Sequence, residues 1–137
     1  MFSRDNNSLP GVILLAHGSS EPEAAEEIRE LCKELSTMKP QWRFTEAFLN
    51  QEPKLTAALE ALILKGCDSI TVLPLLVFKG KHTLEDIPNQ VEALRFQHPG
   101  LTIRLESHLS RLSGFREVLL QTLENVPPHN VPSSKEE

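Results

Sequence analysis

Apolar residues along this chain fall into two patterns: short unbroken runs, and stripes that recur every three or four positions. The first unbroken run, Gly11-Val-Ile-Leu-Leu-Ala16, offers no polar residue to water, as expected of a strand covered on both faces. Ser20-Glu-Pro-Glu23 then fits a capping box opening a helix. After it Ala24, Ile28, Leu31, Cys32, Leu35 and Met38 repeat at helical spacing, and Pro40 marks the exit. Trp42 to Leu49 is strand-like. Pro53 stands near the start of a second helix whose stripe is Leu55, Ala58, Leu59, Leu62 and Ile63, closed by Gly66.

Ile70 to Val77 is the most apolar stretch. Pro74 within it donates no ladder hydrogen bond, which predicts a bulge or the end of pairing there. A loop from Phe78 to His82 leads to a helix beginning near Asp86-Ile-Pro88, with Ile87, Val91 and Leu94 on its apolar side and His98-Pro-Gly100 at its end. Leu101 to Leu105 alternates like an edge strand. A last helix carries Phe115, Val118, Leu119 and Leu123. The strand–helix alternation predicts an α/β domain over 11–125, with a short tail over 1–10 and a disordered tail over 126–137, rich in proline, serine and glutamate. Four parallel strands in a chain this short suit the flavodoxin-type order 2-1-3-4, a three-layer arrangement. Such sheets bind ligands beyond the carboxyl ends of strands 1 and 3, where the order reverses.

Composition narrows the class without naming it. The chain has 137 residues, a net charge of −5 and 24% charged residues, an ordinary balance for a single globular domain. An acidic chain is poorly suited to nucleic acid, whose binding leans on a basic face. No apolar run approaches the roughly 20 residues of a membrane span, and the first ten residues do not resemble a signal peptide, so a cytoplasmic protein is expected. Cys32 and Cys67 form no CxxC pair and read as packing residues. With neither GxGxxG nor a P-loop, no nucleotide or other organic cofactor is expected.

The switch-point rule singles out two histidines. His17 opens the His17-Gly-Ser-Ser20 turn at the carboxyl end of strand 1, and His82 follows strand 3, while Glu46 lies late in strand 2. Two neutral imidazoles and a carboxylate suit Co²⁺, Ni²⁺, Fe²⁺ or Zn²⁺. A single loop histidine more often binds nothing; two at the ends of the central strands shift the balance. His98, His108 and His129 have structural or tail roles by position.

The wider pattern carries more. His17-Gly-Ser, Glu46-Ala-Phe-Leu49, Leu73-Pro-Leu-Leu76, and Gly80-Lys-His82 followed by Asp86-Ile-Pro88 together resemble the small sirohydrochlorin chelatase family, in the same linear order over roughly residues 11 to 124. The resemblance implies the chelatase fold, a symmetric homodimer, and insertion of a divalent metal into sirohydrochlorin, with cobalt first and nickel or iron behind it. It implies that His17, His82 and Glu46 handle the metal and that Ser19, Phe78, Gly80 and Lys81 meet the ring. The chain departs from the family pattern at Asn50, where many relatives carry glutamate, and at Ser20, where arginine often follows the triplet. Because the ring is a polycarboxylate, an acidic chain needs local cations; Lys79, Lys81, Arg104 and Arg111 are candidates, with Lys81 preferred. Trp42, Phe44 and Phe48 read as core, leaving Phe78 as the aromatic nearest the ligand. Two other readings use the same residues: a carrier of metal or tetrapyrrole that does not turn over, and, more weakly, a hydrolase, which lacks its GxSxG elbow.

Overall fold

The computed structural model describes residues 8–128. The elements follow as β1 (Pro10–Ala16), α1 (Pro22–Met38), β2 (Arg43–Phe48), α2 (Leu55–Leu64), β3 (Ser69–Pro74), a π-helical turn (His82–Asp86) running into α3 (Ile87–Gln97), β4 (Thr102–Leu105), a 3-10 turn (Leu109–Arg111) and α4 (Phe115–Glu124). All strands are parallel, in the order β2-β1-β3-β4. The expected sheet order and the edge position of β4 therefore hold. The expected tail over 126–137 lies mostly outside the described residues, as does His129.

Strand alternation sorts the core into two layers. Ile13 and Leu15 face one way, joining Ala47, Ile70, Val72 and Ile103 beneath α2 and α3, whose Leu55, Leu59, Leu62, Ile87, Val91 and Leu94 complete the larger cluster. Val12 and Leu14 face the other way, where Cys32, Ile28, Leu31 and Leu35 of α1 meet Phe44 and Leu73. Burial of this kind, at about 25 cal/mol per Å² of apolar surface, is the main stabilising contribution. Leu9 also packs on the larger cluster, and β1 opens at Pro10, one residue before Gly11.

Pro74 ends pairing on one side only. The Leu75 N–H still donates to the Leu15 carbonyl at 2.8 Å, and the Val72 carbonyl accepts the Glu106 N–H at 3.0 Å. Successive residues point to opposite sides of a strand, so the Pro74 nitrogen faces the β4 side, where the ladder has stopped at Leu105. The missing donor is thus harmless.

Local details depart from the sequence reading. Ser20 forms no capping box: α1 starts after Glu21 with Pro22 in its first turn, and the Ser19 hydroxyl accepts the Glu21 N–H at 3.0 Å. Met38 lies in solvent at the end of α1, and Trp42, 38% exposed, precedes β2 rather than joining the core. Phe48 is buried as expected, and Phe44 is half-buried.

Both cysteines are buried free thiols. Burial, followed by the charge of Glu46, pushes the Cys32 thiol up to about 11, and burial also raises Cys67. The thiolate is the reactive form. Native protein is therefore expected to resist iodoacetamide at pH 8, whereas denatured protein takes up two labels; rapid native labelling at Cys32 would contradict this packing.

Candidate metal-handling site

His17 follows directly from β1, and its place is fixed by the chain leaving β2. The Leu49 N–H donates to the Ala16 carbonyl at 2.9 Å, and the Asn50 N–H donates to the His17 carbonyl at 3.1 Å. The next residue, Gly18, has φ +105°, and a Cβ there would run into the Asn50 side-chain oxygen. Only glycine adopts that backbone cheaply. Ser19 closes the turn by donating its N–H to Gln51 Oε1 at 2.9 Å.

The Nδ1 of His17 lies 3.3 Å from the Gly18 carbonyl and 3.4 Å from the Asn50 side-chain nitrogen. A carbonyl can only accept, so a proton on Nδ1 satisfies it, and the Asn50 amide turned over presents its oxygen to the same proton. That tautomer leaves Nε2 with an open lone pair.

His82 is held differently. After Pro74 the chain runs through a loop whose end is tied by Gly80: its N–H donates to Thr83 Oγ1 at 2.8 Å, and its carbonyl accepts the Leu84 N–H at 2.9 Å. The widened turn that follows sets His82 and Asp86 on one side, as positions i and i+4. His82 Nδ1 donates to Asp86 Oδ2 at 2.8 Å, and Lys81 Nζ donates to the other carboxylate oxygen at 3.1 Å. The hydrogen bonds from Lys81 and then His82 hold the Asp86 carboxyl below the ordinary value of 3.8. With the folded value lowered, the contact persists throughout neutral pH and is lost only as pH falls through that acidic range. A carboxylate on Nδ1 fixes the ring and leaves Nε2 free, as in many metal-binding histidines.

The two imidazoles stand side by side, ring centres 5.3 Å apart and planes tilted by 58°. Two imidazoles on one tetrahedral ion, with metal–nitrogen bonds of about 2.1 Å, place their ring centres about 5 Å apart. The pair therefore has the spacing needed to share an ion. Both rings are open to approach: His17 is exposed, and the His82 side chain is 43% exposed.

Other expected residues scatter. Glu46 does not join the histidines, which corrects its assignment as a metal ligand. It pairs with Leu14, three positions before His17, and alternation puts it with Phe44 on the α1 face, close to Cys32. Among the described residues no group of three or more His, Cys, Asp and Glu side chains is arranged to hold an ion. Lys81 is on the correct loop but is paired with Asp86. Arg104 lies on the opposite side of the sheet from the α2–α3 core, in a groove beside Trp42, whereas Arg111 stays at the rim. Phe78 and Gly80 are exposed on the His82 loop, and Ser19 is exposed beside His17. His108 is buried, with 9% exposure, and lines a rim cavity of about 260 Å³ with Thr83, Ile87, Glu106 and Arg111. A second recess of about 320 Å³ is bounded by Leu49, His82, Asp86, Asn89 and Gln90.

Sequence reasoning missed Asp86 and Asn50 as the partners of the two histidines. The i, i+4 spacing of His82 and Asp86 was a usable signal; nothing local to Asn50 announced its approach to His17.

A parallel α/β sheet with paired imidazoles at its switch point is an arrangement on which a metal-handling site can be built. The chain belongs to the CbiX family, whose model matches residues 11–126. It is similar to the sirohydrochlorin cobaltochelatase of Saccharolobus solfataricus, with 32% identity over 117 residues, covering 81% of this chain and 91% of that protein. It is 37% identical over 82 residues to the sirohydrochlorin cobaltochelatase of Sulfolobus acidocaldarius, and there it spans 60% of this chain and 66% of the relative. Among solved structures, the CbiX protein of Marinobacter aquaeolei VT8 aligns at a TM-score of 0.65 and 29% identity, over 85% of this chain and 99% of that one. SirB from Bacillus subtilis with Fe³⁺ aligns at 0.70 with 21% identity, covering 86% of this chain and 48% of SirB, a likeness of fold. No helix among the described residues is long and apolar enough to cross a membrane.

Proposed function

We propose that this chain inserts a divalent metal ion, cobalt in the first place, into sirohydrochlorin, with His17 and His82 as the groups that hold the ion and move the protons. The observation that carries this reading is the pair of imidazoles 5.3 Å apart at the switch point of a CbiX-family sheet. Metal insertion needs an ion held loosely enough to leave, and a base for two pyrrole protons as metal–nitrogen bonds form. A neutral imidazole suits both tasks near neutral pH. Asp86 fixes His82 through Nδ1 and leaves its Nε2 free, and Asn50 lies against Nδ1 of His17. Arg111, at the rim, offers a cation to a ring carboxylate. The site is walled by a single sheet edge, which suits a homodimer facing a shared ring.

The test is anaerobic incubation with sirohydrochlorin and Co²⁺, Ni²⁺ or Fe²⁺, following the absorption change from free to metallated ring. Multiple turnovers with cobalt fastest support the reading. Stoichiometric binding without turnover would favour a carrier instead.

Asp86 gives a graded check. Asp86→Asn keeps the side chain's size but removes the charge that orients His82. Its metal affinity or turnover is expected to fall by about 10- to 100-fold. Unchanged turnover would show that the contact is incidental.

A further inference from the structure

His82 stands beside His17 on a segment with one firm end and one loose end. The firm end is Ile87, fully buried in the larger core cluster, whose N–H donates to the His82 carbonyl across the widened turn. The loose end is Phe78-Lys79-Gly80, exposed throughout, so packing does not hold it. A side chain ties it back. Thr83 Oγ1 accepts the Gly80 N–H at 2.8 Å and donates to the Gly80 carbonyl at 3.1 Å, while the Leu84 N–H reaches the same carbonyl at 2.9 Å. A hydroxyl can donate and accept at once, so one group satisfies both polar atoms of the Gly80 backbone. The hold lies in that hydroxyl rather than in the glycine. The backbone at Gly80 is not left-handed, and a Cβ there would meet nothing within 4 Å.

We propose, on the reading of His17 and His82 given above, that the Thr83 hydroxyl is the latch that presets His82 against His17. Thr83 is then a positioning residue, touching neither ion nor ring. The turn it closes carries more residues than an α turn. With Ile87 held in the core, any slack passes upstream into the exposed loop. A slip of one residue on a helix turns a side chain by about 100° around the axis. Such a turn would carry the His82 ring out of reach of both His17 and Asp86. Asp86 and Thr83 therefore act at different levels: Asp86 orients the ring on its own bonds, and Thr83 fixes the backbone that bears it. A pair of imidazoles already at sharing distance loses less freedom when an ion arrives, which is what a preset site gains. The Leu84 bond survives without the hydroxyl, so the latch is expected to grade the site's affinity rather than to switch it off.

Thr83→Val keeps the side chain's shape and removes the hydroxyl, and Thr83→Ser restores the hydroxyl alone. In the metal-free full chain, nuclear Overhauser contacts between the ring protons of His17 and His82 are expected in the wild type and in Thr83→Ser, and are expected to vanish in Thr83→Val. The Kd for Co²⁺ by titration calorimetry is expected to rise about tenfold in Thr83→Val and to return to the wild-type value in Thr83→Ser. In turnover the loss is expected in KM for Co²⁺, with KM for sirohydrochlorin unchanged. Thermal unfolding is expected to follow the wild type, because Gly80 is exposed and its freed backbone groups turn to water. Thr83 also lines the rim cavity, so if valine disturbs packing there, Thr83→Ala gives the same readout. Ring contacts that persist in folded Thr83→Val overturn the proposal, as does a cobalt Kd that ignores the hydroxyl or a loss that serine does not restore. Ring contacts that follow the hydroxyl in a protein without turnover support the latch while refuting metal insertion, so the two failures are distinguishable.

Discussion

His82→Ala is expected to abolish turnover with sirohydrochlorin and Co²⁺, and His17→Ala to do the same, each by about a hundredfold or more, the scale of losing a positioned acid–base group. The fold is expected to survive. Both rings are open to solvent, and neither belongs to the buried clusters, so their loss leaves no cavity. Thermal unfolding of each variant should therefore follow the wild type while the absorption assay goes flat. Glu46→Gln supplies the contrast. Its carboxylate faces α1 with Phe44, away from the imidazoles, and turnover is expected to stay close to wild type. A strong loss at Glu46 together with activity at either alanine variant would reverse the assignment made here.

Gly18→Ala carries the second large effect, and it reaches stability and chemistry at once. The backbone at Gly18 is left-handed, which costs a residue with a Cβ about 1–2 kcal/mol. The new methyl would also meet the Asn50 side chain, and forcing atoms into a filled space adds about 1–3 kcal/mol. A total loss of about 2–5 kcal/mol is expected, read as a lower urea midpoint. Turnover should fall as well, because relief comes from moving Asn50, which touches His17. Gly100→Ala is the control, since a Cβ there meets nothing within 4 Å. Equal effects at the two glycines would mean that the turn after β1 tolerates a side chain.

Much of this architecture could be read from residue order because β1 is buried on both faces and β3 on the α2–α3 face. Gly11 to Ala16 and Ile70 to Pro74 show few polar positions for that reason, and the rule for open parallel sheets then carried His17 and His82 to one edge. Glu46 failed for a reason of parity. Being near the correct end of β2 does not say which face a side chain takes, and one residue of difference reverses it. Asn50 lay beyond the reach of local patterns because its approach to His17 depends on two strands lying side by side. Asp86 stands in the Asp86-Ile-Pro88 stretch, yet its hydrogen bond needs the widened turn that aligns it with His82.

Whether the two imidazoles share one ion is read from cobalt K-edge X-ray absorption. With one Co²⁺ per chain, the wild type is predicted to show scattering from two imidazole rings, and His17→Ala or His82→Ala from one fewer. A cobalt spectrum unaltered when both histidines are replaced would contradict the account.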